Sequence, residues 1–298
     1  MAVDAAWRTA TGDGVVIAVI DTGVDGTHPD LAGRLVPGID LVDGGYRAVD
    51  PHGHGTHVAG IAAAATGNDT GISGAAPGAV IMPVRVLGAD GTGSDDVIGA
   101  GIDWAAANGA HVINLSLGES GFAARLSEGG PLNAAIRRAH ERGAVVVAAA
   151  GNDAVRERAY RIGVPVLVVN TSTESGEAAS FTNTGDLRAV GAPGQDIWST
   201  VPTAPTTLHP EGSDGYAALD GTSMAAPLVA AVAALLIDDG VPSAEVAAGI
   251  ASTAGNPAGD PALGAGIVDA ARALAATGAV TGRTVPRPPR SERPAGGR

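Results

Sequence analysis

Residues 15–20 read Val-Val-Ile-Ala-Val-Ile, and Asp21 follows at once. A short apolar run rich in β-branched residues, with no polar alternation, suits a strand buried on both faces. Residues 145–150, Val-Val-Val-Ala-Ala-Ala, repeat the pattern and lead into Gly151-Asn152. Similar runs at 80–86, 111–115 and 164–170 are expected to be strands as well. Helical patterns occupy 54–65, 94–108, 131–142, 222–237 and 243–251. This alternation predicts an α/β fold: a doubly wound, mostly parallel sheet with helices on both faces, built as one domain. In such sheets functional residues gather at the carboxyl ends of strands. Asp21, Ser116 and Asn152 stand at or just beyond the ends of expected strands.

Composition narrows the function. Aromatics make up only 3% of the 298 residues, so Val, Ile, Leu and Ala must pack the core. The net charge of −13 argues against a nucleic-acid partner, which needs a basic face to meet phosphates. Residues 281–298 (TGRTVPRPPRSERPAGGR) run the other way, with five Arg against one Glu, four Pro and no apolar periodicity. They are expected to be a disordered Pro/Arg-rich tail beyond a folded domain at 1–280. No apolar run approaches the ~20 residues that cross a bilayer, so no membrane span is expected. The first residues lack the basic-then-apolar pattern of a signal peptide. The absence of Cys excludes disulfides and a thiol nucleophile.

Three short stretches carry reactive side chains among glycines and small residues. They are VIAVIDTGVD around Asp21, HGHGTHVAG around His54 and GTSMAAP around Ser223. A hydroxyl is a poor nucleophile at neutral pH; it needs an imidazole to take its proton and a carboxylate to orient that imidazole. Each stretch also has a plainer reading. Asp-Thr-Gly is the signature of aspartic proteases, but those need two such carboxylates and no second copy occurs. His52, His54 and His57 suggest a metal cradle, yet there is no His-Glu-x-x-His pair and an apolar helix follows. A serine ahead of a helix can be a simple N-cap, and an Asn after a strand can simply turn the chain.

From about Gly14 to Ala270 the motifs, in the order Asp…His…Ser, resemble those of the subtilisin-like serine proteases, the subtilases. The resemblance implies a serine endopeptidase that hydrolyses extended polypeptides through an acyl-enzyme. Asp21, His54 and Ser223 would form the triad and Asn152 would donate to the oxyanion. Gly91-Thr92-Gly93, Leu115-Ser116-Leu117-Gly118 and Gly151 would line the substrate backbone. His57 would be a structural residue of the His54 helix. Catalysis would need no cofactor, but the family often carries structural calcium, for which Asp30, Asn68, Thr70 and Ile72 are the matching residues. Expected partners are polypeptide substrates and a pro-segment outside this chain. The protein is expected to be a monomer, secreted as a mature domain, with a cytoplasmic location as the alternative. Two other functions stand beside this one: a dedicated maturation protease that trims one partner, and a binding module without catalysis, against which the intact motifs argue. The chain departs from the family pattern after Asn152, where Asp153 and Glu157 lie among several Arg in a shortened pocket loop. These acids read as a solvated loop, with a preference for basic substrate side chains as the alternative. Leu228 and Ala230 also replace the family's His and Gly.

Removing residues 281–298 is expected to leave kcat/KM on small peptides within about twofold, because loose, screened ion pairs of ~0–1 kcal/mol each are all the tail can make. A fall of many degrees in melting temperature on truncation would place the tail inside the packed domain.

Overall fold

A computed structural model describes residues 1–117, 130–155, 166–184 and 189–281. Seven strands form one sheet in the order β2-β3-β1-β4-β5-β6-β7, with every neighbouring pair parallel. They are β1 (Val16–Asp21), β2 (Ile39–Asp40), β3 (Val80–Arg85), β4 (Val112–Leu115), β5 (Val145–Ala149), β6 (Val166–Ser172) and β7 (Val190–Pro193). The helices are α1 (Val3–Ala6), α2 (His54–Ala63), α3 (Asp95–Ala107), α4 (Pro131–Glu141), α5 (Thr222–Asp238), α6 (Ser243–Thr253) and α7 (Ala270–Thr281). A separate antiparallel hairpin joins β8 (Ile197–Thr200) to β9 (Tyr216–Leu219).

The side-chain alternation of β1 explains why both faces of the sheet are covered. Ile17 and Val19 join a core built on α2, α5, α6 and α7, while Ala18 and Ile20 join a second core with Ile98, Ile102, Leu132 and Ile136 of α3 and α4. Burying each such aliphatic side chain is worth ~1.5–3 kcal/mol. The half-exposed Arg138–Asp103 pair that also links α3 to α4 adds only ~0–1 kcal/mol, so apolar packing holds these two helices. The expected doubly wound fold is therefore present, and the seven-stranded sheet is wholly parallel.

Every element expected from the sequence is found within two residues of its limits. β2, β7, the β8–β9 hairpin, α1 and α7 were not anticipated. α7 runs through Thr281, one residue into the segment read as tail, and residues 282–298 lie outside the described residues. The chain runs outward from β1 through β2 and β3, then resumes at β4 on the other side of β1. That reversal opens a crevice at the carboxyl ends of β1 and β4, where ligands bind in folds of this kind. Among the described residues no helix is long and apolar enough to cross a membrane.

Candidate active site

A cavity of about 490 Å³ lies over this crevice, lined by Thr22, His54, Ser116, Asn152 and Ser223 among others. Asp21 ends β1 fully buried, and its Oδ1 accepts the His54 Nδ1–H at 2.8 Å and the Thr22 N–H at 2.7 Å. A carboxylate at Nδ1 demands a proton there, so the Nε2 lone pair is the one left free. Burial alone would lower the His54 pKa. The charge and hydrogen bond of Asp21 outweigh it, and the pKa rises above 6.5.

Asp50 holds this arrangement, and nothing in the sequence reading singled it out. Its buried carboxylate accepts from Thr22 Oγ1–H, from the His52, Gly53 and Thr56 amides and from Thr56 Oγ1–H. The first turn of α2 has orphan N–H groups, and its N-cap Gly53 at φ 105° has no side chain to satisfy them. Asp50 serves as a remote cap. Thr22 Oγ1 in turn accepts the Gly55 N–H at 3.0 Å, which pins the start of α2 against the end of β1. A Cβ on Gly55 would strike the Gly23 carbonyl, so only glycine allows that approach.

Ser223 sits in the first turn of α5, where backbone N–H groups have no intrahelical acceptor. Pro227 lies four residues on and has no N–H to give the Ser223 carbonyl. That carbonyl accepts from Ser116 Oγ–H at 2.8 Å, while Ser223 Oγ–H donates back to the Ser116 carbonyl at 3.1 Å. Asn114 Nδ2–H donates to Ser116 Oγ and fixes its direction. Gly221 at φ 150° precedes this turn with Asn152 Nδ2 against it. Asn152 Oδ1 accepts from both the N–H and the Oγ1–H of Thr222. This settles the amide orientation, leaving two N–H donors on Nδ2 beside the cavity that Asn152 lines.

The other expected site residues divide. Gly91, Thr92, Ser116 and Leu117 line the cavity; Gly93 and Gly151 do not. Gly151 instead stands at φ 97° with its N–H on Thr222 Oγ1, supporting Asn152 from behind. Gly93 packs its α-carbon against the Val86 carbonyl. Leu115 is paired with Ala148 inside the sheet, its side chain is fully buried and it does not line the cavity. Gly118 and Glu157 lie outside the described residues. His57 points away from the cavity to the Ala217 carbonyl, and burial lowers its pKa to about 4. That neutral, buried ring clamps α2 to the hairpin. Among the described residues no group of three or more His, Cys, Asp or Glu is placed to hold a metal.

Of the residues matched to a calcium site, Asn68 and Ile72 meet Asp30, and they do so as hydrogen-bond donors. The buried Asp30 carboxylate accepts from Asn68 Nδ2–H at 2.7 Å, the Ile72 N–H at 2.9 Å and Tyr216 Oη–H at 3.0 Å. Calcium takes six to eight oxygens. With three of its roughly four acceptor sites taken by N–H and O–H groups, this carboxylate has little left to offer that ion.

A buried carboxylate, an imidazole tied to it, a serine at a helix start and an amide donor stand around one cleft, and these are the kinds of group that a serine hydrolase combines. The sequence model of the subtilase family of peptidases matches residues 12–271. Thermitase of Thermoactinomyces vulgaris is 44% identical over 84% of this chain and 84% of that protein. An extracellular protease of Xanthomonas campestris is 38% identical over 91% of this chain, which spans 53% of that longer protein. A solved protease of Pseudoalteromonas arctica superposes with a TM-score of 0.80 at 38% identity, covering 91% and 92% of the two chains. The chain belongs to the subtilase family. It is a subtilisin-like serine endopeptidase.

The His54 pKa is raised, and a protonated imidazole cannot accept a proton, so with His54 as the base activity is expected to fall as pH drops through that raised value. The acidic limb of kcat/KM against pH is expected to have its midpoint above 6.5, read with a peptide that carries no ionisable side chain. A profile peaking in acid would point to carboxylate chemistry instead.

Proposed function

We propose that Asp21, His54 and Ser223 carry out the hydrolysis as a triad, with Asn152 Nδ2 and the Ser223 N–H as oxyanion donors. The single observation that carries this reading is the 2.8 Å contact between buried Asp21 and His54, which presents the Nε2 lone pair for use as a base. Rotation about the Ser223 Cα–Cβ bond takes Oγ from the Ser116 carbonyl toward His54. Nε2 removes the hydroxyl proton as Oγ bonds to the scissile carbonyl carbon. The carbonyl oxygen takes up the displaced electron pair beside Asn152, where preorganised donors stabilise it most in the transition state. Collapse of that intermediate expels the amine, which leaves with the proton from His54. Water then repeats the sequence and frees the acyl group from Ser223.

The substrate is an extended polypeptide, laid as an added strand along Gly91-Thr92 on one side and Ser116-Leu117 on the other. Main-chain hydrogen bonds hold such a peptide and side-chain pockets select among sequences. All the functional groups come from one chain, which supports action as a monomer. The extracellular relative supports secretion. The calcium ion implied by the family resemblance is left out of this reading, because hydrogen-bond donors already satisfy Asp30.

Ser223→Ala is expected to abolish both peptide hydrolysis and fluorophosphonate labelling without lowering the melting temperature, since one oxygen atom is removed. Asn152→Ala should retain the triad and lose on the order of 10²–10³ in kcat. His57→Ala should act on stability first; loss of labelling in a fully folded His57→Ala protein would move the base from His54 to His57. Excess EDTA is expected to shift the melting temperature by less than 2 °C, about the scale of a sub-kcal/mol effect in a domain of this size. A fall of many degrees, reversed by calcium, would restore the ion at Asp30.

A further inference from the structure

Residues 201–215 join the two strands of the β8–β9 hairpin, a connection for which two to five residues are usual. The excess is folded. Thr206 N–H bonds to the His209 carbonyl, Ser213 N–H to the Thr203 carbonyl and Ser213 Oγ–H to the Pro202 carbonyl. A loop so tied to itself is a built feature, and such loops commonly carry function.

The loop is also fastened to the cleft entrance, beside His54 and the Gly91-Thr92 rail. Thr207 and Leu208 give their N–H groups to the Pro51 and His52 carbonyls at 3.1 and 3.0 Å, just ahead of His54. Thr207 Oγ1–H reaches the Ala89 carbonyl, next to the Gly91-Thr92 rail. Gly53, at φ 105°, makes the approach possible: a Cβ there would press on Thr206 Oγ1 and Leu208 Cβ. Val201 of this stretch is buried, whereas Leu208 reaches the surface. It is 37% exposed, and it lines the cavity together with His52, His54, Asp90 and Gly91. The His52 and His54 rings meet edge to face with centroids 6.2 Å apart.

We propose that Leu208 is a specificity-determining residue, closing with His52 the subsite beside His54 so that it takes small apolar substrate side chains and excludes bulky ones. The inference rests on the peptidase reading above. In an extended peptide successive side chains point to opposite faces. The residue whose carbonyl is attacked lies between Ser223 and Asn152, and the side chain of the residue before it turns the other way, toward His54. There it meets the His52 ring and the Leu208 isobutyl group, with the exposed Asp90 carboxylate standing at the cavity rim. Burial lowers the His52 pKa, with His54 adding to the effect, so the ring stays neutral under the conditions in which His54 works as a base.

The test compares peptides that differ only at the residue before the cleaved one, Ala against Phe, in the wild type and in Leu208→Ala and Leu208→Trp. The wild type is expected to prefer Ala. Leu208→Ala should raise the Phe/Ala ratio of kcat/KM about tenfold, the scale on which apolar pockets discriminate by size. Leu208→Trp should lower it. Preference at the cleaved residue itself should stay within twofold, and melting temperatures should be unchanged because the side chain is partly exposed. A ratio that stays within twofold in both variants, or a change only at other substrate positions, would overturn the proposal while cleavage persists. If the wild type neither cuts these peptides nor reacts with a fluorophosphonate, it is the peptidase reading that fails.

Discussion

Asp50 gathers five hydrogen bonds on a carboxylate almost wholly shut off from water. A parallel sheet leaves the ends of its strands to irregular loops, and a reactive constellation built there needs those loops fixed to a fraction of an ångström. Here the first turn of α2 and the last residue of β1 share one acceptor through Thr22. The imidazole rides on α2 and the carboxylate that orients it on β1, so their 2.8 Å contact follows from that shared anchor. A neutral side chain could not replace Asp50. Five donors converging on one group are best met by a full negative charge with two oxygens, and hydrogen bonds to charged groups are the strong ones.

The serine side of the cleft uses the opposite device, a bond deliberately left unmade. Proline inside a helix costs a hydrogen bond, about 3 kcal/mol or more where nothing compensates. Pro227 withholds its bond from the very residue that carries the hydroxyl, and Ser116 takes the vacated acceptor. The start of α5 is thereby latched to the end of β4, across the same switch point where β1 ends. The returning bond from Ser223 Oγ to the Ser116 carbonyl keeps the hydroxyl satisfied. Asn152 is fixed by the same helix start through Thr222. Strand ends and helix starts thus hold one another across the cleft.

How much of this the sequence disclosed depends on the range of the interaction. β1, β5 and α5 were legible because their residue types follow from burial on both faces or all round. β7, Val190–Pro193, is four residues long with Gly and Pro in it, and it becomes a strand only by pairing with β6. Leu115 sits beside true cleft residues in the chain, yet the alternation of the sheet turns it into the core. Asp21, His54 and Ser223, the proposed triad, stand out in their motifs, whereas Asp50 and Thr222 act through partners that only the fold supplies. Asp30 illustrates the limit from the other direction. Its spacing to Asn68 and Ile72 fits a metal loop, but nothing local reveals that Tyr216, 186 positions away, would supply a third hydrogen-bond donor.

The core itself completes the argument. Residues 229–236 of α5, Val-Ala-Ala-Val-Ala-Ala-Leu-Leu, are all fully buried. A helix apolar on every side must be surrounded, and this one is packed by the sheet on one face and by α2, α6 and α7 around it. Its alanines let those neighbours come close, which suits a chain with so few aromatic residues to fill space. A helix held that way cannot shift along its axis without opening voids in a close-packed interior. Ser223 is the second residue of that helix. The position of Ser223, the proposed nucleophile, is therefore set by the packing of the whole domain, while side chains on the cleft rim, such as Leu208 with its proposed part in selectivity, can change without disturbing it.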